Sequence, residues 1–477
     1  MPELSHRRRL LVLAICCLSL FVASMDVTIV NLALPSIEHE FSATVSSLQW
    51  TIDSYTLVLA GLLMLSGSMG DRFGRRRTFQ TGLVLFTLGS VLCSAAPGIG
   101  WLVAFRMLQA VGGSMLNPVA MSIITNTFTD ARERARAIGV WGAVVGLSMA
   151  LGPVVGGFLV DAVGWRSIFW INIPVGVAAL VLTALFVPES KAPRARRLDP
   201  VGQVLMIVIL ASLTYGIIEA PRLGWSSGPV LICFAVALAG AVVVVGYERR
   251  RDEPLLDPRF FASLPFSGAT LIAVCGFACL AGFLFLNALY LQNVRGYTAL
   301  HAGLLTLPSA LAIFALAPLS GRLVASRGSR VPLVLGGLGL VVSGVLLTRL
   351  DADTGVGWLV FAYVVFGAGI GMLNPPITNT AVSGMPRAQA GVAAAVASTS
   401  RQVGSALGVA VLGAVVTSRI AGPFERGFPA ATHIAWWIMV GCGVVVVALG
   451  LLTTGPLAQR TATRATAQFE DPVGAQT

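Results

Sequence analysis

The chain has 477 residues, 56% of them hydrophobic and only 11% charged, with a mean hydropathy of +0.84. That composition excludes an ordinary soluble domain and makes a polytopic membrane protein the expectation. The formal charge of +11 lies in short basic clusters between apolar runs, a pattern that argues against nucleic acid as a partner and for a basic cytoplasmic face.

Apolar runs bounded by charge or turn signals predict 14 spans, at 10–34, 48–69, 78–96, 101–125, 137–162, 167–187, 201–220, 229–247, 266–292, 302–325, 331–349, 357–383, 390–418 and 432–455. The start imitates a signal peptide, with Arg7, Arg8 and Arg9 before an apolar run, but the pattern continues to Leu34 and reads as a retained first span. With the N-terminus inside, 24 of the 32 basic residues fall in cytoplasmic segments and six outside, while Arg106 and Arg401 fall within spans. Both termini are therefore expected in the cytoplasm. Trp50, Trp101, Trp165, Trp225 and Trp358 lie near the expected outer ends. The seven cysteines all sit in apolar runs without metal spacing and read as packing residues.

Arg106 is the first functional signal, because a guanidinium at membrane depth costs roughly 2.5–3.5 kcal/mol even on a mild insertion scale. Its span ends in Met115-Leu116-Asn117-Pro118, which recurs 257 positions on as Met372-Leu373-Asn374-Pro375. Ser66-Gly67, Gly74 and Arg76 recur 254 positions on, and Leu151-Gly152 recurs 256 positions on. The near-constant offset predicts a duplicated six-span half, with 201–220 and 229–247 as an extra central pair. Counted at 1.5 Å per residue, Asp26, Asp53 and Arg106 lie roughly 12, 8 and 8 Å below the outer surface, one shared layer. Arg401 is a possible second buried charge, although it could also reach the inner surface.

Four stretches carry a family resemblance. They are Met25-Asp26-Val27-Thr28-Ile29-Val30-Asn31-Leu32-Ala33-Leu34-Pro35; Gly67-Ser68-Met69-Gly70-Asp71-Arg72-Phe73-Gly74-Arg75-Arg76; Arg106 with Gln109 and Gly112-Gly113; and Ser148 to Gly157, holding Gly152-Pro153-Val154-Val155-Gly156-Gly157. Together they resemble the major facilitator superfamily, specifically its fourteen-span drug:proton antiporters of the EmrB/QacA type. Tyr290 to Tyr297 and Ser400-Arg401-Gln402-Val403-Gly404 resemble further stretches of that branch. Ala110 stands where the family pattern has glycine, and Ser148 replaces the first glycine of the fifth-span motif.

The resemblance implies an all-α fold of two six-helix bundles plus two central helices: 1–190, 191–262 for the added pair with its linkers, 263–458, and a cytoplasmic tail at 459–477. It implies proton-driven export of amphipathic small molecules from a bacterial inner membrane by alternating access, by a monomer without metal or cofactor whose partners are substrate, protons and lipid. Import of a nutrient or anion by proton symport is the alternative. Asp26, Asp53 and Arg106 are assigned to proton coupling. Gly67, Asp71, Arg72, Gly74, Arg75 and Arg76 are assigned to a cytoplasmic latch, with Asp71 facing a helix N-terminus near Arg387 or a cytoplasmic arginine. Gly152, Pro153, Gly156 and Gly157 form the antiporter motif, with Gly152 and Gly156 expected against a helix of the opposite bundle and Pro153 bending the span. No GxxxxGK[ST] or HExxH motif is present, which argues against ATP-driven pumping and against an enzyme. Some members of the family it resembles that export divalent cations carry an acid in the tenth span, and residues 302–325 contain none, so the resemblance implies monovalent or neutral substrates.

Overall fold

The computed structural model describes residues 5–191, 199–251, 257–383, 385 and 389–470. Among these the secondary structure is helical throughout: α1 (His6–Phe41), α2 (Val45–Phe73), α3 (Arg75–Ser94), α4 (Ile99–Thr127), α5 (Ala131–Ala162), α6 (Ser167–Trp170), α7 (Asn172–Phe186), α8 (Pro200–Leu223) and α9 (Gly228–Glu248). After a short 3-10 turn at Pro258–Ala262 come α10 (Leu264–Leu289), a π-helical turn (Tyr290–Val294), α11 (Ala299–Arg327), α12 (Arg330–Leu347), α13 (Val356–Ser383), α14 (Ala390–Thr417), α15 (Phe424–Leu452) and α16 (Pro456–Glu470).

Thirteen helices among the described residues are long and apolar enough to cross a membrane. α3 is not one of them, because it opens on Arg75, Arg76 and Arg77 and continues with Thr78, Gln80 and Thr81. It nonetheless packs along α4 and α7 inside its bundle. Side-chain caps mark several starts: the Thr44 hydroxyl accepts from the Ser47 amide at 3.3 Å, and Asp130 accepts from the Arg132 and Glu133 amides at 3.0 and 2.9 Å. α9 is the least buried span, with Leu231, Ile232, Leu238 and Val242 all exposed, as suits a helix facing lipid.

The chain divides into two units, Met1–Gln203 with Leu291–Leu307, and Val204–Tyr290 with Pro308–Thr477. In the first, α1 packs on α5 and α3 packs on α4 and α7; in the second, α10 packs on α14 and α12 on α13 and α15. The repeat seen in the sequence is therefore a repeat of packing partners. It extends to individual glycines. A Cβ on Gly82 would lie 3.0 Å from the Gly112 carbonyl oxygen, and one on Gly336 would lie 3.0 Å from that of Gly369. Those residues stand 254 and 257 positions apart in the chain, the offsets already found in the motifs. Small residues let two backbones touch, and here each unit uses the same crossing. The segment from 459 enters α16, where the Thr461 hydroxyl accepts from the Leu264 amide at 3.1 Å at the start of α10.

The crossing can be tested at Gly112, where a Cβ would lie 2.6 Å from the Gly82 carbonyl oxygen and 2.8 Å from the Phe86 Cα. Gly112→Val should force α3 and α4 apart at an overpacking cost of about 1–3 kcal/mol, read as a lower thermal midpoint of the detergent-purified protein. An unchanged midpoint would mean that the helices are not held at this distance.

Candidate functional site

Asp26 lies midway along α1 and is wholly buried, as is Arg106 on α4. Arg106 Nη1 donates to Asp26 Oδ2 at 2.5 Å. Asp26 Oδ1 accepts from Gln109 Nε2 and from Asn172 Nδ2, both at 2.9 Å. Gln109 stands one turn beyond Arg106, on the same face of α4, and its Oε1 accepts from Arg106 Nη1 at 2.7 Å. The Ser90 hydroxyl of α3 accepts from Gln109 Nε2 at 2.9 Å and Asn172 Nδ2 at 3.3 Å, while donating to the Phe86 carbonyl at 2.9 Å.

Three further contacts hold the guanidinium. Its Nε donates to the Thr51 carbonyl of α2 at 3.4 Å, and its Cζ lies 4.2 Å from the centre of the Tyr55 ring and 5.8 Å from that of Phe169 on α6. Six helices thus converge on one ion pair. Taking two charges out of water is costly, and the attraction between them offsets that only when the spare donors and lone pairs are also used. Here both carboxylate oxygens and the amide of Gln109 are engaged.

Asp53 differs in kind. It is fully buried on α2, yet neither carboxylate oxygen has a hydrogen-bond partner among the described residues. Of the three residues expected to act together, the structure joins Asp26 to Arg106 and leaves Asp53 apart. Arg106 reaches the backbone of Thr51, two residues before Asp53, and not the carboxyl itself. An ionised carboxylate at Asp53 would lack both water and a donor, a far costlier state than the neutral acid.

The basic loop breaks α2 from α3 at Gly74, whose φ of +114° suits glycine alone. Asp71 accepts from Arg75 Nη2 at 2.8 Å and Nε at 3.2 Å, so its partner is an arginine one turn ahead; Arg387 lies outside the described residues. Arg72 points its guanidinium over Phe73, and Gly67 lies close to Pro118 of α4. Glu189, a residue the sequence reading passed over, caps the start of α3 by accepting from the Arg76 and Arg77 amides at 3.1 and 3.3 Å. Arg76 donates in turn to the Ala184 carbonyl at 2.7 Å, and the Arg75 amide to that of Ser190 at 2.9 Å.

The fifth-span motif needs a correction. A Cβ on Gly152 would meet Thr28, and one on Gly156 would lie 3.4 Å from the Ile29 Cα, so both glycines serve the α1–α5 contact within one unit and not a helix of an opposite bundle. The spacing marked a close approach, but small residues carry no label for the helix they admit. Gly157 abuts Ala299 and Leu300, and the Pro153 carbonyl abuts Gly303. α5 runs through Pro153 without a break in its helix. In the second unit, Arg401 of α14 is half-buried, donates to the Thr378 hydroxyl at 3.1 Å and lies 5.9 Å from the Phe277 ring.

The second unit has no copy of the charge network. Positions 257 beyond Asp26, Arg106 and Gln109 are Phe283, Tyr363 and Phe366. Phe283 meets Tyr363 edge-on at 5.2 Å and stacks on Phe366 at 4.2 Å, so aromatic packing occupies the place of the ion pair. Asn172 and Ser90 were also missed by the sequence reading. The available signal was an amide beside Pro174 in an otherwise apolar run, and a lone serine is too common in membrane helices to stand out.

A profile of the Major Facilitator Superfamily matches residues 16–409. The chain is 37% identical over 420 residues, 88% of its length, to a Mycobacterium tuberculosis protein named multidrug resistance protein Stp, covering 78% of that protein. It is 36% identical over 404 residues to the tetracenomycin C resistance and export protein of Streptomyces glaucescens, covering 84% of this chain and 75% of the other. A solved bacterial homologue of the human drug peptide transporters PepT1 and PepT2 superposes with a TM-score of 0.66 at 14% identity, over 96% of this chain and all of that one, a likeness of fold. The chain belongs to the major facilitator superfamily. It is a multi-pass membrane transporter.

The support around Asp26 predicts the effect of losing one donor. Asn172→Leu should leave Oδ1 of a buried carboxylate with a single donor at a cost of about 1–3 kcal/mol, lowering the thermal midpoint, whereas Ser68→Ala, at a half-buried hydroxyl bonded to its own helix, should not. Equal midpoints for Asn172→Leu and the unaltered protein would remove Asn172 from the network.

Proposed function

We propose that the protein exports amphipathic, monovalent or neutral small molecules from the cell in exchange for protons, as a monomer in a bacterial inner membrane. In this reading α3 is the fourteenth span. Bundles at 1–190 and 263–458 flank the added helices of 191–262, a tail from 459 follows, and both termini are cytoplasmic. The resistance and export names of relatives near 35% identity support drug efflux. The excess of basic residues in the segments between alternate spans supports the orientation.

The observation that carries proton coupling is the contrast between two buried carboxyls in one bundle. Asp26 accepts from an arginine and two amides, whereas Asp53 is buried with no donor among the described residues. Asp53 is therefore the group whose charge depends on what the bundle exposes it to. It carries a proton when enclosed and releases it when water reaches it. Asp26 and Arg106 form the brace that keeps α1, α2 and α4 in register during that cycle. Rocking of one bundle against the other supplies the alternation. Each charge carried inwards draws about 2.3 kcal/mol from every 100 mV of membrane potential, and the pH gradient adds to it.

Inside-out vesicles with an imposed pH gradient test this with a fluorescent lipophilic cation as probe. The unaltered protein should accumulate the probe. Asp53→Asn should lower gradient-driven uptake by about tenfold or more while sparing counterflow, which moves no net proton. Asp26→Asn should instead lower both uptake and folded yield, because it strands a buried arginine. Normal gradient-driven uptake by Asp53→Asn would exclude Asp53 as the carrier, and uptake that runs with the proton would favour symport.

A further inference from the structure

Arg401 lies well inside α14, roughly 16 Å from the first residue of that helix at 1.5 Å per residue. Its guanidinium has few partners. Nη1 donates to the Thr378 hydroxyl of α13 at 3.1 Å, and Cζ lies 5.9 Å from the centre of the Phe277 ring of α10. Nε and Nη2 meet no acceptor among the described residues, and neither is sealed from the surface. Asn374, one turn before Thr378 on the same face of α13, is exposed.

Arg106 in the first unit has a carboxylate to pair with, but the helices around Arg401 offer none. No Asp or Glu occurs anywhere in α10, α11, α12, α13 or α14, and the acid of α15, Glu425, sits in that helix's first turn. The repeat supplies no precedent for the patch either. Positions 257 before Phe277, Thr378 and Arg401 are Leu20, Met121 and Val144, all apolar. A charge at membrane depth persists where it is paired or faces a water-filled path. Here the chain holds the cation and withholds the anion.

The free donors also have a shape. With Nη1 taken by Thr378, the Nε and Nη2 hydrogens remain, parallel along one edge of the guanidinium and matched to the two oxygens of a carboxylate. The half-buried Phe277 ring adds an apolar surface next to that edge.

We propose that Arg401 binds the acid group of amphipathic, monovalent anions and that such anions are among the exported substrates, with Thr378 orienting the guanidinium and Phe277 meeting the apolar part. This rests on the export reading given above and narrows its substrate class. Exchange of one such anion for one proton moves two positive charges inwards, so the membrane potential drives both halves of the cycle, whereas exchange of a monovalent cation for a proton moves none.

Pyrenebutyrate, its methyl ester and pyrenebutyl-trimethylammonium test this, since they share a ring system and differ in charge. In equilibrium dialysis, the detergent-purified full chain should bind pyrenebutyrate about tenfold or more tighter than the ester. Arg401→Gln should abolish that preference without lowering the thermal midpoint, because it strands no carboxylate. Arg401→Lys, which keeps the charge without the fork, should retain part of the preference, and Arg322→Gln, at an exposed arginine of α11, all of it. Thr378→Val, which keeps the charge but frees the guanidinium to turn, should weaken pyrenebutyrate by about threefold and leave the ester unchanged, a readout that stands even if Arg401→Gln folds poorly. In inside-out vesicles with an acidic lumen, which excludes a weak acid left to itself, the unaltered protein should accumulate pyrenebutyrate, and faster when the lumen is also made positive. Equal affinity for pyrenebutyrate and its ester, or a preference that survives in Arg401→Gln, overturns the anion site. Displacement of pyrenebutyrate by phosphatidylglycerol, with vesicles that accumulate the cation but not pyrenebutyrate, makes Arg401 a lipid-headgroup site and overturns the substrate claim. Vesicles that accumulate none of the three, with the binding preference intact, overturn the export reading while supporting the anion site.

Discussion

A charge sealed within a helix bundle must find its partners there, and in this protein that requirement organises the first unit. Arg106 is met by a carboxylate from α1, a carbonyl from α2, an amide from its own helix and rings from α2 and α6. Asn172 at the first residue of α7 and Ser90 on α3 complete the set around Asp26. Because a stranded buried charge costs about 3–5 kcal/mol, a shift of any one of these helices is resisted by all of them. The bundle's internal geometry is specified by polar contacts that lipid-facing apolar surfaces could not supply, since hydrocarbon gives no preference for one helix neighbour over another.

The second unit solves the same packing problem without charge. Its helix crossings use matching glycines, but rings stand where the first unit has ions. Asn287 accepts from the Tyr363 hydroxyl there, which makes the centre of this unit a neutral polar contact within aromatic packing. Duplication therefore preserved the backbone frame and let the two cores diverge in chemistry. A frame set by small residues tolerates that, because backbone contact does not depend on what the neighbouring large side chains carry.

Much of this was legible in the sequence for a physical reason. Arg106 and Asp26 stand out because charge is rare at membrane depth, and the repeat stands out because paired helices need the same small residues at the same offsets. What the sequence left open are the pairings. Asp26, Asp53 and Arg106 share a depth, yet depth along a helix does not give the direction a side chain takes around it, and Asp53 turns out to be apart from the pair. The same limit applies to Gly152 and Gly156, whose spacing announces a neighbour without naming α1. Asn172 and Glu189 went unnoticed because their partners are brought to them only by the fold, Asp26 of α1 and Ser90 of α3 for the first and the start of α3 for the second. α3 itself was predicted as a span from its length, although its polar opening keeps it below the other thirteen in hydropathy.

The order in which the ion pair is built carries a consequence for synthesis. Asp26 and Arg106 are separated by 80 residues, so the ribosome delivers the acid well before its base. At about 5–20 residues per second that delay is roughly 4–16 s, during which α1 stands in or beside the insertion machinery with its carboxylate unmatched. Asn172 emerges later still, 146 residues after Asp26, so the donor set is finished only when the sixth long helix of the unit begins to leave the ribosome. The first bundle is thus one that cannot settle helix by helix. Its early spans have to be kept near one another until the arginine arrives, whereas the aromatic core of the second unit imposes no such wait.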